Sequence, residues 1–180
     1  MADPVPTLRA DARRNREKLL HAATEQFAAH GADVALETVA RAAGVGIGTL
    51  YRHFPTRDDL VQAAYREELD QLCAAGPELL AERPPDEALA VWMERFVDYI
   101  AVKRGMAGAL RPVTTARTQL LETIAPLLEA GVVAGTIRSD VGADDVLRSM
   151  GAIWTLPDGD GFPRQAATIV RLLADGLRRV

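Results

Sequence analysis

The run Leu36-Glu37-Thr38-Val39-Ala40-Arg41-Ala42-Ala43-Gly44-Val45-Gly46-Ile47-Gly48-Thr49-Leu50-Tyr51-Arg52-His53-Phe54 constrains the fold more than any other part of the chain. Two short helical patterns meet at Gly44, whose missing Cβ supplies the backbone freedom of a tight turn. Ala40 is small enough to let the second helix cross close by. Leu36, Val39, Ala43, Val45 and Leu50 fall where the two helices pack on each other and on a third. This pattern predicts a helix-turn-helix, a unit that lays its second helix in the major groove of DNA.

The surrounding sequence is helical throughout. A helix is expected over about 12–29, with Leu19, Leu20, Ala23 and Phe27 at helical spacing, ending at His30-Gly31. Residues 1–10 read as an arm. The two helices of the motif fall at about 36–43, with only Ala35 at the capping position, and 47–53, stopped by Pro55. Thr56-x-x-Asp59 is a helix-start pattern. The helix it opens is expected to end near Ala75, with Gly76-Pro77 and Pro84-Pro85 forming a joint. Further helices are expected over about 86–104, capped by Asp86, and 116–134, with Pro126 inside. The last two are 144–156, capped by Asp144, and 163–180, and a short turn of helix is placed near 106–110. No strand pattern appears. The expectation is an all-α chain of about nine helices, divided at about 58/59, with the helix-turn-helix over about 35–54.

Net charge is −4, which is the wrong sign for a chain that meets DNA, but the charge is polarised. Residues 1–57 carry eight Lys/Arg against six Asp/Glu, and the remainder thirteen against nineteen. Cys73 is the single cysteine, which excludes an intrachain disulfide and suits a reducing cytoplasm. Its simplest role is that of a small buried hydrophobe. No apolar run reaches the ~20 residues of a membrane span, and the N-terminal residues do not read as a signal peptide.

Candidate contacts divide into two kinds. For phosphate, Tyr51 is placed to reach the backbone from the groove rim. Arg57 stands at a helix start, where charge and free amides favour an anion, and Arg13, Arg14 and Arg16 lie at the start of the first helix. For bases, Gly46, Ile47, Gly48 and Thr49 form the leading end of the second motif helix. Ile47 suits a thymine methyl, and Arg52 is long enough for guanine or phosphate. Glu37 suits a cytosine amine or solvent. Glycines read no base edge, so readout of DNA shape gains weight.

Ala40, Gly44, Val45 and the run Gly48-Thr49-Leu50-Tyr51-Arg52-His53-Phe54 resemble the DNA-binding domain of TetR-family transcriptional regulators. The first helix, from Arg14 to His30 with Phe27 and Gly31, extends the resemblance to roughly residues 10–60. It implies a three-helix DNA-binding domain over 1–58 and a helical ligand-binding and dimerisation domain over 59–180. It also implies phosphate contacts for Tyr51, His53 and Thr38. Gly46 and Ile47 depart from the polar side chains that the family often carries there. The resemblance further implies a homodimer through the last two helices, about 144–156 and 163–180, and a double-stranded operator. A small-molecule effector would lie in a pocket for which Trp92, Met93, Phe96, Tyr99, Met106, Leu110 and Trp154 are candidates. Asp98, Arg111 and Arg117 are candidates for orienting a polar ligand. No metal site, cofactor or catalytic residues are expected, because no His-Glu-x-x-His, cysteine pair or Gly-x-Ser-x-Gly occurs. The main expectation is a ligand-released repressor. Its rivals are a ligand-independent activator or architectural binder, and a ligand-binding dimer with weakened DNA reading.

Overall fold

The computed structural model describes residues 8–107, 109–110, 115–157 and 159–179; most of the expected N-terminal arm, Arg111 and Pro112 lie outside this set. Among the described residues the chain forms eight α-helices and no strand. They are α1 (Leu8–His30), α2 (Leu36–Ala42), α3 (Ile47–His53), α4 (Arg57–Glu82), α5 (Pro85–Gly105), α6 (Ala116–Ala134), α7 (Ala143–Met150) and α8 (Phe162–Leu177). A short 3-10 turn, Gly151–Thr155, extends α7. No described helix is long and apolar enough to cross a membrane.

The chain packs as two compact units. One contains Met1–Glu68 with Val102–Arg111, the other Leu69–Ala101 with Pro112–Val180. In the first unit, α1, α2 and α3 pack on one another. Leu19, Leu20, Ala23, Phe27, Leu36, Val39, Ala40, Leu50, Phe54, Leu60, Val61 and Tyr65 are buried. The α2–α3 turn forms as the sequence predicts. Gly44 has φ +67°, a conformation that side-chain-bearing residues rarely adopt, and Val45 N donates to Ala40 O at 3.0 Å. Ala35 makes no side-chain cap to α2.

Three expectations are corrected. First, α4 runs on through Gly76-Pro77 to Glu82. Pro77 removes one backbone donor, but packing within the second unit offsets the loss. Leu72, Ala75 and Leu79 are buried there, and Trp92 Nε1 donates to Leu72 O at 2.9 Å. Gly76 lies so close to α6 that a Cβ would fall 2.6 Å from Thr123 Cγ2. Second, residues 106–107 and 109 form turns rather than a helix. Third, the side-chain contact at the start of α7 is made by Asp145, whose Oδ2 accepts from Gly142 N at 3.0 Å. Asp144 pairs instead with Arg117 and Arg148. By contrast, α6 has the expected ends, with Pro126 inside it.

In the first unit, α5 ends against α1. A Cβ on Gly105 would sit 2.2 Å from Phe27 O, and Ala32 N donates to Gly105 O at 2.9 Å. Gly105→Ala is expected to lower the unfolding free energy by about 1–3 kcal/mol, overriding the gain of up to about 1 kcal/mol that a helical glycine-to-alanine exchange brings where no clash intervenes. Urea denaturation reads the outcome; an unchanged midpoint would mean that the contact relaxes without cost.

Candidate functional site

The helix-turn-helix presents α3 by burying one side of it. Leu50 and Phe54 face the core, while Gly46, Gly48, Tyr51 and Arg52 are exposed. Tyr51 is 47% exposed, a large value for an aromatic side chain. Ile47, Thr49, His53 and, on α2, Thr38 are half-buried. The expected contact residues on α2 and α3 therefore share one small unit, with graded access to solvent.

Several of the basic groups already have partners within the chain. Arg52 folds back along α3, with Nη2 donating to Thr49 Oγ1 at 3.0 Å and Nε to Gly48 O at 3.3 Å. On α1, Arg14 pairs with Asp11, and Arg13 with Glu17 at 3.6 Å. These exposed pairs contribute at most about 1 kcal/mol each, so a phosphate competes for the same guanidinium at little expense. Arg16 lies over the Phe54 ring at 5.5 Å, joining α1 to the end of α3. The sequence does not show this packing role, because the two residues are far apart along the chain.

Arg57 differs from the other arginines. Its Nη1 donates to Ala32 O and to Val34 O, both at 2.6 Å, in a part-buried setting. The guanidinium thus ties the start of α4 to the loop that precedes α2. The sequence reading gave Arg57 to a phosphate at a helix start; the structure gives it an internal partner. The start of α4 is itself well capped. Thr56 N donates to Asp59 Oδ2 at 3.0 Å and Asp59 N to Thr56 Oγ1 at 3.1 Å, the reciprocal pair expected of Thr-x-x-acid.

The seven candidate pocket residues are divided between the two units. Trp92, Met93, Phe96 and Tyr99 are buried in the second unit. There the Trp92 and Phe96 rings lie 6.0 Å apart, tilted by 35°, and the Phe96 and Tyr99 rings 5.7 Å apart, tilted by 46°. Met106 is buried in the first unit, Leu110 is half-buried in it, and Trp154 is 41% exposed. Asp98 lies at the surface, where loss of part of its water shell pushes its carboxyl up. A groove of about 390 Å³ lies elsewhere in the second unit, lined by Cys73, Gly76, Pro77 and Leu80 of α4 and by Gln119, Glu122, Thr123 and Pro126 of α6. No periodicity marks it, since helix spacing shows which residues face inward and not where two helices part.

Cys73 is half-buried in that groove. Burial pushes its thiol up; a hydrogen bond with Thr123 works the other way, and the Asp70 and Glu122 charges add to the rise. Less thiolate is therefore present at any given pH. Iodoacetamide is expected to alkylate Cys73 at neutral pH more slowly than a cysteine peptide, with a rate still climbing where the peptide's has levelled off. Equal rates, followed by mass, would contradict this assignment.

The arginine assignments are separable by salt. Arg57→Ala is expected to lower stability by about 1–3 kcal/mol and to leave the slope of log K for DNA against log salt unchanged. Arg14→Ala is expected to leave stability within about 0.5 kcal/mol and to reduce that slope by about one. The reverse pattern would return Arg57 to the phosphate.

Comparison with known proteins agrees with this geometry. Residues 19–64 match the family described as bacterial regulatory proteins, tetR family. Residues 84–179, over half of the chain, match the transcriptional regulator SbtR-like C-terminal domain. A TetR transcriptional regulator from Streptomyces coelicolor is 43% identical, with a TM-score of 0.84 over 92% of this chain and 99% of that one. The TetR transcription regulatory protein from Mycobacterium vanbaalenii is 36% identical, with a TM-score of 0.79 over 96% of this chain and 100% of that one. An HTH-type transcriptional regulator of Staphylococcus aureus is 31% identical over 96 residues, 50% of each protein, so the chain spans about half the length of that curated relative. With its helix-turn-helix and both family matches, the chain belongs to the TetR family of DNA-binding transcriptional regulators.

Proposed function

We propose that the protein is a cytoplasmic repressor that binds a near-palindromic operator as a homodimer and is released by a small-molecule effector. The observation that carries the DNA-binding part is the exposed edge of α3, from Gly46 to Arg52, held in place by a buried Leu50. In this reading Tyr51, His53, Thr38 and Arg14 meet phosphates. Ile47, Thr49 and Arg52 face bases, Gly46 and Gly48 bring the backbone close, and Arg57 holds the α1–α2 loop.

Two recognition helices must meet successive major grooves about 34–36 Å apart, which a dimer achieves. An unusual apolar exposure around α7 and α8 supports pairing there: Leu172 is 66% and Trp154 41% exposed. A shallow cavity of about 210 Å³ beside Leu172 has Val141, Val146 and Leu177 in its lining. Exposed apolar surface of this kind suits burial against a second copy.

For the effector, the groove beside Cys73 has the size of a small-molecule site, roughly 300–1,000 Å³, and a mainly apolar lining with Gln119, Glu122 and Thr123 as polar groups. Trp92, Met93, Phe96 and Tyr99 are buried in the same unit. A coupling of about 1–3 kcal/mol between effector and operator suffices for release, because affinity falls steeply once both half-sites cannot be met together.

The test is selection of genomic fragments by the purified protein at two salt concentrations, followed by footprinting. The expected outcome is one enriched, near-palindromic site protected over two successive grooves, with a steep loss of affinity as salt rises. Failure to enrich any fragment would overturn the operator reading. Addition of a low-molecular-mass cell extract is expected to release the complex; retention at every extract concentration would favour a ligand-independent binder.

A further inference from the structure

The groove beside Cys73 carries charge of one sign. Among the described residues, Glu122 is the one charged residue in its lining. The helix segments on either side, residues 70–82 and 119–134, hold five Asp/Glu and no Lys, Arg or His. Asp70 and Glu122 both lie close enough for their charges to bear on the Cys73 thiol. The local potential is negative, which disfavours an anionic ligand and attracts a cation.

The hydrogen-bonding groups are just as one-sided. In a helix the N–H of each residue donates to the carbonyl four positions earlier, and proline has no N–H. Pro77, inside α4, leaves the Cys73 carbonyl without its helix donor, and Pro126, inside α6, does the same to the Glu122 carbonyl. Cys73 and Glu122 are themselves lining residues. The side-chain donors of the lining are turned to partners within the chain: Gln119 Nε2 donates to Asp70 Oδ1 at 3.5 Å, and Thr123 Oγ1 to Gln119 O at 2.9 Å. A ligand that brings N–H groups meets acceptors here, whereas one that brings only lone pairs meets donors already in use.

We infer that the groove takes an organic cation, a protonated amine carried on an apolar body. The ammonium pairs with Glu122, and the body lies against Leu80 and the two prolines. Glu122 is exposed, so the pair forms at the mouth of the groove and avoids the desolvation that offsets the attraction of buried ions. Water and salt screen it there, which makes the preference moderate. The inference names the ligand class of the effector site proposed above and rests on that reading.

The test is calorimetric titration of the full chain at neutral pH with three probes that share one body: 4-phenylbutylamine, 4-phenylbutanol and 4-phenylbutyrate. The amine, protonated at this pH, is expected to bind at least fivefold more tightly than the alcohol, and the carboxylate more weakly than either. Glu122→Gln is expected to bring the amine to within twofold of the alcohol and to leave the alcohol's affinity unchanged. Glu94→Gln, which removes an exposed carboxylate of α5 outside the lining, is expected to keep the amine's advantage. Equal binding of the three probes, no binding of any, or an amine advantage that survives Glu122→Gln overturns the inference. Operator binding is measured in parallel. A protein saturated with amine that still holds its operator defeats the release reading while the recognition of the cation stands; release by the alcohol or carboxylate as readily as by the amine keeps the release reading and defeats this inference.

Discussion

A helix of seven residues does not hold itself in water; isolated helices need roughly 12–15 residues before they persist. The recognition helix α3 is this short, so its existence depends on one buried stripe. Leu50 is fully buried and Phe54 nearly so, and the left-handed turn at Gly44 sets the direction in which the chain enters the helix. Remove that stripe and nothing local keeps Tyr51, Arg52 and the two glycines on one surface. The rest of the unit reinforces the same point from outside. Arg16 covers the Phe54 ring, Phe27 is buried in the same unit, and Arg57 anchors the loop that precedes α2.

The arginines of this unit divide by what holds them. A guanidinium paired to one exposed carboxylate, as in Arg14 with Asp11, gives up little when it turns to a phosphate, because water screens the pair and side-chain entropy opposes it. A guanidinium bonded twice to part-buried main-chain carbonyls, as in Arg57, leaves those acceptors unsatisfied if it moves, at a cost of about 1–3 kcal/mol. Sequence position alone places both at helix starts. Only the partner decides which one is available to DNA.

The parts legible in the sequence share a local cause. The turn at Gly44, the Thr56–Asp59 start of α4 and the ends of α6 are set by residues within a few positions of one another. Where long-range contacts decide, the local signals mislead. Gly76-Pro77 has the composition of a break, yet Trp92, twenty residues away in sequence from its acceptor, bonds to Leu72 O and packing keeps α4 continuous. Asp144 looks like a cap, but Arg117 draws it into an ion pair and Asp145 takes the position beside Gly142 N. The aromatic stripe of α5 was legible as inward-facing, and the tilted contacts of Trp92 with Phe96 and of Phe96 with Tyr99 follow from the same spacing, since residues three and four apart on a helix are neighbours. Periodicity shows the buried face of a helix and carries no information on gaps between faces.

A reading surface with few hydrogen-bonding groups places a particular demand on the assembly. Each base pair read by a good bidentate contact adds about 1–3 kcal/mol of discrimination, and α3 has few side chains free to make one: Arg52 is bonded to its own helix, and two of the leading positions are glycine. In the proposed reading, a single half-site therefore adds little discrimination. In the proposed dimer the same small preference is counted twice on one complex, so a wrong site is penalised by the sum of two deficits and by loss of simultaneous engagement. Weak reading per helix and a geometric requirement for two helices are thus complementary. The acidic balance of the residues after Asp58, thirteen Lys/Arg against nineteen Asp/Glu with Asp58 included, acts in the same direction, since it lowers the sequence-independent attraction that would otherwise mask so small a preference.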